Sequence, residues 1–270
     1  MISGHTRVAG LIGSPVGHSR SPAIHNAAYA ECGLDWVYVA FPVALGHAAE
    51  ALDAMRTMDI AGLSVTTPHK DDVARLVDHP TPAVRALGAC NTVHRRADGS
   101  LDGHSTDGDG LIDAIRHEAG IDVAGRRVAV LGAGGAARSI IEALARHGAA
   151  DIAVVNRTAA KAEIAAALGG RVGHRGDIID AEIVINATSV GMGGEGLPID
   201  PRILGSGHLV IDTVYQPLTT PLLAAAADRG AAVLDGLHML VYQAAHQFRI
   251  FTGLEPPIGV MRRAARQVPE

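Results

Sequence analysis

Aromatic side chains are scarce in this 270-residue chain, which holds one Trp, four Tyr and three Phe. A core with so few rings has to be built from Ala, Val, Leu and Ile. Hydrophobic residues still make up 48% of the chain and charged ones only 19%. That balance excludes a disordered or coiled-coil chain and suits a packed enzyme with room for two domains. Cysteine is rare too. Cys32 and Cys90 are the only two, and with no secretory pattern at the N-terminus they read as reduced, buried thiols of a cytoplasmic protein. No stretch approaches the ~18 continuous apolar residues of a membrane span. No basic run and no basic-aromatic interleaving occurs, and the net charge is −5, so neither nucleic acid nor an anionic membrane is an expected partner. Histidines number fourteen, yet none falls in an H-E-x-x-H spacing and no Cys-x-x-Cys occurs. His94, His104, His117 and His147 therefore read as surface residues, and no metal is expected.

What is present is a glycine-rich turn in a strong context. Arg127 to Leu131 reads as an apolar strand, followed by Gly132-Ala133-Gly134-Gly135-Ala136 and an amphipathic helix to Arg146. Glycines at this spacing let the chain turn tightly and let a pyrophosphate approach the backbone, where the helix start offers unpaired N–H groups. A second strand ends in Asn156-Arg157-Thr158, where an NAD site carries an acid about 20 residues on. A guanidinium pairs with a 2′-phosphate that a carboxylate would repel, and Lys161 adds a second cation. The cofactor expected from these residues is NADP.

Around this turn the pattern is β-α-β-α-β, with strands at 128–131, 152–156 and 183–186 and helices at 136–146 and 159–168. Further elements are expected at 209–212 (strand), 221–229 (helix) and 232–234 (strand), which together make a doubly wound domain. Upstream, strands at 7–12, 36–41 and 62–66 alternate with helices at 22–31, where Ser21 is a plausible N-cap, and 46–58. A hairpin is expected around Asp98-Gly99, then a helix over 108–119. The fold class is α/β, with a mixed N-terminal domain and a doubly wound, Rossmann-type NADP-binding domain. A last helix over roughly 237–251 carries an apolar face (Leu240, Val241, Ala244, Ala245, Phe248) that is expected to pack back on the first domain. The domains expected are 1–107, completed by 237–270, and 108–236.

Polar clusters interrupt the first domain where strands end, which is where α/β sheets place ligands. They are Gly17-His18-Ser19-Arg20-Ser21-Pro22, Ser64-Val65-Thr66-Thr67-Pro68-His69-Lys70, Ala89-Cys90-Asn91-Thr92 and Ser105-Thr106-Asp107-Gly108. Hydroxyls, an amide, a lysine and a carboxylate suit a small polyhydroxylated substrate. Each residue has a plainer reading: Ser21 and Asp107 as helix caps, Lys70 as a solvated side chain beside Asp71 and Asp72. Together, ahead of an NADP domain, they favour a site, because a carbonyl that receives hydride also needs a proton.

These motifs, with Asn186-Ala187-Thr188-Ser189 and Asp235-Gly236-Leu237 leading to Gln243-Ala244-Ala245, occur in the order found in one family. Over essentially its whole length the chain resembles the shikimate dehydrogenases, which reduce 3-dehydroshikimate to shikimate with NADPH. The resemblance implies that Ser19 and Ser21 hold the substrate carboxylate and that Thr66, Asn91 and Gln243 meet its hydroxyls. It implies Lys70 and Asp107 as the catalytic pair, with Tyr215 near the carboxylate. It places Thr188 and Ser189 on the nicotinamide side, Met239 or Leu240 against the nicotinamide ring, and Gly236 among the cofactor-binding residues. Ser64 is a further substrate-contact candidate, standing where many relatives have Asn, which shortens its reach. Ser105 replaces an Asn, His69 a Phe and His238 a Gly. The alternatives are a quinate or aminoshikimate dehydrogenase paralogue, or a non-catalytic NADP-binding sensor that would be expected to lose Lys70 or Asp107. A folate-type methylene dehydrogenase would not explain Ser19 and Ser21. The state expected in solution is monomer or homodimer.

Overall fold

The computed structural model describes residues 2–267, so residue 1 and residues 268–270 of the expected domains lie outside the described residues. The chain divides into two compact units. Among the described residues, one holds 2–106 together with 241–267, and the other runs Asp107–Leu240.

The first unit contains β1 (Arg7–Gly13), α1 (Ser21–Glu31), β2 (Trp36–Pro42), α2 (Ala48–Thr57), β3 (Gly62–Val65), α3 (Lys70–Leu76), β4 (His79–Pro80), α4 (Pro82–Leu87), β5 (Thr92–Arg95) and β6 (Leu101–His104). Its sheet has the order β2-β1-β3-β5-β6-β4. β1 is parallel to β2 and β3, whereas β5 runs antiparallel to both β3 and β6. This mixture brings the ends of β1, β3 and β6 and the start of β5 to one edge, since Ser64 pairs with Thr92 and Thr92 with His104. Leu52, Met55, Leu63, Val73, Val93 and Leu101 form the apolar core of this unit.

The helix start at α1 differs from expectation. Arg20, not Ser21, is the N-cap, and Ser21 is already helical with Pro22 behind it. The hydroxyl of Ser19 accepts from the Ser21 amide at 3.2 Å, so the free N–H is met one residue earlier in the chain. The short helices α3 and α4 went unpredicted, because seven and six residues are too few for apolar periodicity to show. Cys90 is buried, but Cys32, at the end of α1, is only half-buried.

The second unit contains α5 (Asp107–Ala114), β7 (Arg127–Leu131), α6 (Gly135–Arg146), β8 (Asp151–Val155), α7 (Ala159–Ala166), β9 (Arg171–Val172), α8 (Arg175–Asp180), β10 (Ile183–Asn186), β11 (Leu209–Asp212), α9 (Pro221–Ala227) and β12 (Ala232–Leu234). All six strands are parallel in the order β12-β11-β10-β7-β8-β9, which reverses direction between β7 and β10. That is the doubly wound arrangement, and its ligand position is outside the strand ends at the reversal. The helix expected over 108–119 is α5 followed by a π-helical turn, Ile115–Ala119. A π turn inserts one residue into the helical ladder, a change that apolar spacing does not reveal.

Helix α10 (Gly236–Thr252) carries the chain from the second unit's residues into those of the first. Val241, Ala244, Ala245 and Phe248 are buried in the first unit. α10 is not the last helix: α11 (Ile258–Gln267) follows the Pro256-Pro257 break, with Met261 and Ala265 buried. Among the described residues no helix is long and apolar enough to cross a membrane.

Candidate active site

In the first unit, backbone hydrogen bonds gather the polar clusters at the shared sheet edge. Thr66 N donates to Ile12 O at 3.0 Å, Ser14 N to Thr67 O at 3.0 Å, and Val65 N to Asn91 O at 2.7 Å. Lys70 opens α3, and its carbonyl accepts from Cys90 N at 2.9 Å, which ties the start of that helix to the Cys90-Asn91 turn. His69 is wholly buried just before it, with Nε2 2.8 Å from Val43 O. A carbonyl only accepts, so Nε2 carries the proton and the residue ahead of Lys70 is locked. Burial pushes the Cys90 thiol up to about 11, so it is inert at neutral pH. Arg20 is buried between Ser19 and Ser21, with Nη1 donating to Ala265 O of α11 at 2.9 Å.

Asn91 is buried and oriented by its neighbours. Its Oδ1 accepts from Thr106 N and from Thr92 Oγ1, each at 2.8 Å, while Nδ2 donates to Thr106 Oγ1 at 2.9 Å. Gln243 is buried on α10 rather than facing solvent. Thr66 is half-buried at the end of β3. Ser64 differs from the role expected of it. Tyr38 donates to its Oγ at 2.6 Å, and Ser64 donates in turn to Gln247 Oε1 at 2.6 Å. Its single proton is committed inside the protein.

In the second unit, Gly132 follows β7 with φ +112°, and a Cβ there would stand 2.9 Å from Ala187 O. Only glycine fits that turn. Gly134 is the exposed N-cap of α6, where an added Cβ would meet nothing within 4 Å. The N–H groups at the start of α6, at Gly135 and Ala136 after Ala133 and Gly134, have no capping side chain, and a helix start of this kind binds phosphate. Beyond β8, Asn156 Nδ2 donates to Thr158 O at 3.0 Å, closing the turn that displays Arg157. Arg157, Thr158 and Lys161 are exposed, and among the described residues no carboxylate pairs with Arg157. A dinucleotide bearing a 2′-phosphate fits these residues.

The loop after β10 is held by a buried set of polar groups. Asn186 Nδ2 donates to Asp212 Oδ1 at 2.9 Å, Asn186 Oδ1 accepts from Thr188 Oγ1 at 2.7 Å, and Thr220 donates to Asp212 Oδ2 at 2.7 Å. Burial raises the Asp212 carboxyl above its usual range. Thr188 thus serves the loop itself, and Ser189 is exposed beside it. Asp107 is buried in the first turn of α5, with the adjacent Gly108 N donating to Ser139 Oγ at 2.9 Å. Tyr215 is half-buried after β11. Gly236 is small for packing, since a Cβ would lie 2.5 Å from Thr213 O. Met239 is buried nearby on α10, and His238 Nδ1 lies 3.5 Å from Glu118 Oε2 of the π turn.

Comparison with known proteins reads the same way. Residues 11–93 match a family model described as the shikimate dehydrogenase substrate binding domain, residues 114–190 one described as shikimate / quinate 5-dehydrogenase, and residues 236–266 the shikimate 5'-dehydrogenase C-terminal domain. The shikimate dehydrogenase (NADP(+)) of Geobacter metallireducens is 43% identical over 97% of this chain and 96% of its own. The chain belongs to the shikimate dehydrogenase family. A Thermus thermophilus shikimate 5-dehydrogenase solved in complex with NADP(H) and shikimate superposes with TM-score 0.91 at 34% identity, covering 97% of this chain and 99% of that one. Quinate dehydrogenase from Corynebacterium glutamicum in complex with NAD gives 0.88 at 33%, covering 97% and 99%.

Reading the sequence overlooked the residues behind this family's motifs: His25, Tyr38 and Gln247 in the first unit, and Asp212 with Thr220 in the second. A trace was visible. His25 stands among Ile24, Ala28 and Tyr29 on α1, and Gln247 lies one turn from Gln243 on the apolar side of α10, so each is a polar residue on a buried stripe.

Proposed function

We propose that this protein interconverts 3-dehydroshikimate and shikimate with NADP, as a shikimate-pathway enzyme of aromatic amino-acid biosynthesis. The observation that carries the reading is the gathering of Thr66, Lys70 and Asn91 at one sheet edge, in a chain similar over 97% of its length to one solved with both NADP(H) and shikimate. The first unit binds substrate and the second binds NADP. Ser19 and Ser21 donate hydroxyl hydrogen bonds to the carboxylate, and Tyr215 adds to its binding. Thr66, Asn91 and Gln243 meet the ring hydroxyls, while Ser64 supports the site from behind. Backbone N–H groups at Gly135 and Ala136 take the pyrophosphate, and Arg157 with Lys161 takes the 2′-phosphate.

NADPH, when bound, supplies the hydride that reduces the substrate carbonyl. Lys70 gives the proton that converts the resulting oxyanion into the hydroxyl and takes it back in the oxidising direction. Asp107 orients the neighbouring hydroxyl. The exposed Arg157 favours NADP over NAD and so favours shikimate chemistry over an NAD-linked quinate reaction.

Oxidation of shikimate by NADP, followed as NADPH absorbance, tests this. The wild-type protein turns over, and Lys70→Ala lowers kcat by roughly 10²–10⁴ with little change in KM, the usual size for a general acid–base. A wild type without turnover overturns the reading. Near-normal kcat in Lys70→Ala overturns the role given to Lys70.

A further inference from the structure

Behind the proposed substrate residues, the first unit contains a chain of buried polar side chains that crosses its sheet. Its centre is Gln247, 1% exposed on α10. Gln247 Nε2 donates to Thr92 Oγ1 at 3.1 Å and to Asn91 O at 3.4 Å. A carbonyl accepts only, so this side of the amide must be the NH₂ group. The opposite side, Oε1, receives the Ser64 hydroxyl at 2.6 Å and faces His25 Nε2 at 3.4 Å. His25 is fully buried and stacks on Tyr38 with ring centroids 4.3 Å apart, and Tyr38 donates to Ser64. All four hydrogen-bonding positions of the Gln247 amide are therefore occupied, and it has one orientation.

The consequence runs to Asn91. Thr92 Oγ1 accepts from Gln247, so its own proton goes to Asn91 Oδ1 at 2.8 Å. Thr92 Oγ1 and Thr106 N both donate to Oδ1, Thr106 Oγ1 lies 3.3 Å from it, and the direction of the Thr92 hydroxyl is set by Gln247. The flip of the Asn91 amide decides whether a substrate hydroxyl meets an N–H or a carbonyl oxygen.

We infer that Gln247 is a positioning residue for substrate recognition, acting through the Thr92 hydroxyl on the Asn91 amide. The inference rests on the reading of Asn91 as a substrate contact. It assigns to Gln247 a part in recognition distinct from that of Gln243, one helical turn away. Ser64, whose hydroxyl is spent on Gln247, belongs to this support and not to the substrate contacts.

Gln247→Met keeps the length of the side chain and removes all four hydrogen bonds. The expected result is a rise of about tenfold in KM for shikimate, the size of one lost or misaligned hydrogen bond. KM for NADP stays unchanged and kcat changes less than KM. Thr92→Val removes only the relaying hydroxyl and is expected to reproduce the effect, so the test survives if Gln247→Met does not fold. In an Asn91→Ala background the Gln247→Met change is expected to add nothing further to KM. A Gln247→Met protein with lowered Tm and unchanged KM for shikimate overturns the inference, as does an undiminished effect in the Asn91→Ala background. Failure of the wild type to oxidise shikimate is a different outcome and overturns the substrate reading beneath it.

Discussion

The two sheets treat buried polar groups differently. In the first unit, Tyr38, Ser64, Gln247, Thr92, Asn91 and Thr106 form a continuous hydrogen-bonded path from β2 to the end of β6. In the second, the strands β7 and β8 are apolar after their first residues, Arg127 and Asp151, β10 is apolar until Asn186, and the buried Asn186–Asp212–Thr220 set sits at the strand ends. The contrast follows from what each unit has to read. A small polyol is recognised by side-chain hydroxyls and amides, which can rotate or flip, so further buried side chains are needed to fix them. A dinucleotide phosphate is recognised by backbone N–H groups at a helix start, and the helix itself already fixes those. Precision in the first unit therefore comes from the interior, and in the second from the turn.

Acid should break the first unit before the second. Burial lowers the His25 imidazole from 6.5 to about 4, so it stays neutral in the folded chain while its unfolded counterpart takes up a proton. Stability is full above pH 6.5, falls as pH drops through the window from 6.5 to 4, and levels below it. The loss is on the order of 3 kcal/mol. Denaturant midpoints measured across that window follow it, and His25→Phe is expected to flatten the slope. A slope unchanged by His25→Phe assigns the acid sensitivity elsewhere.

The turn in the second unit is sensitive to shape instead. Gly132→Val puts a β-branched residue at φ +112° and a Cβ against Ala187 O. The backbone strain alone costs about 1–3 kcal/mol, read as a lower Tm together with a raised KM for NADP and no rise in KM for shikimate. The smallest effect is expected at the surface. Arg157→Ala raises KM for NADP by about tenfold, one charge-assisted contact, and leaves KM for NAD nearly unchanged. Equal losses with both cofactors would mean that Arg157 does not read the 2′-phosphate.

Legibility in the sequence follows the same division. The doubly wound unit was plain because the strand at 128–131, the glycine turn and the helix to Arg146 repeat a pattern whose function lies in the backbone. The strands at 183–186, 209–212 and 232–234 matched to the residue. The polar clusters of the first unit were equally visible, but not the division of labour within them. Ser64 in β3 and Thr66 just beyond it have similar side chains two residues apart, and only the position of Tyr38 and Gln247 separates a supporting hydroxyl from one open to a ligand. Such pairings join residues 26 and 183 positions apart, and no local spacing encodes them. α11, by contrast, is legible in local spacing, since Ile258, Met261 and Ala265 recur at helical spacing with Arg262, Arg263 and Arg266 off that stripe.

The most direct test is a set of initial rates for the purified wild-type protein, with shikimate and with quinate, each with NADP and with NAD. The account predicts fast turnover with shikimate and NADP, and a steep fall when either one is exchanged. Turnover as fast with quinate, or with NAD in place of NADP, would contradict it.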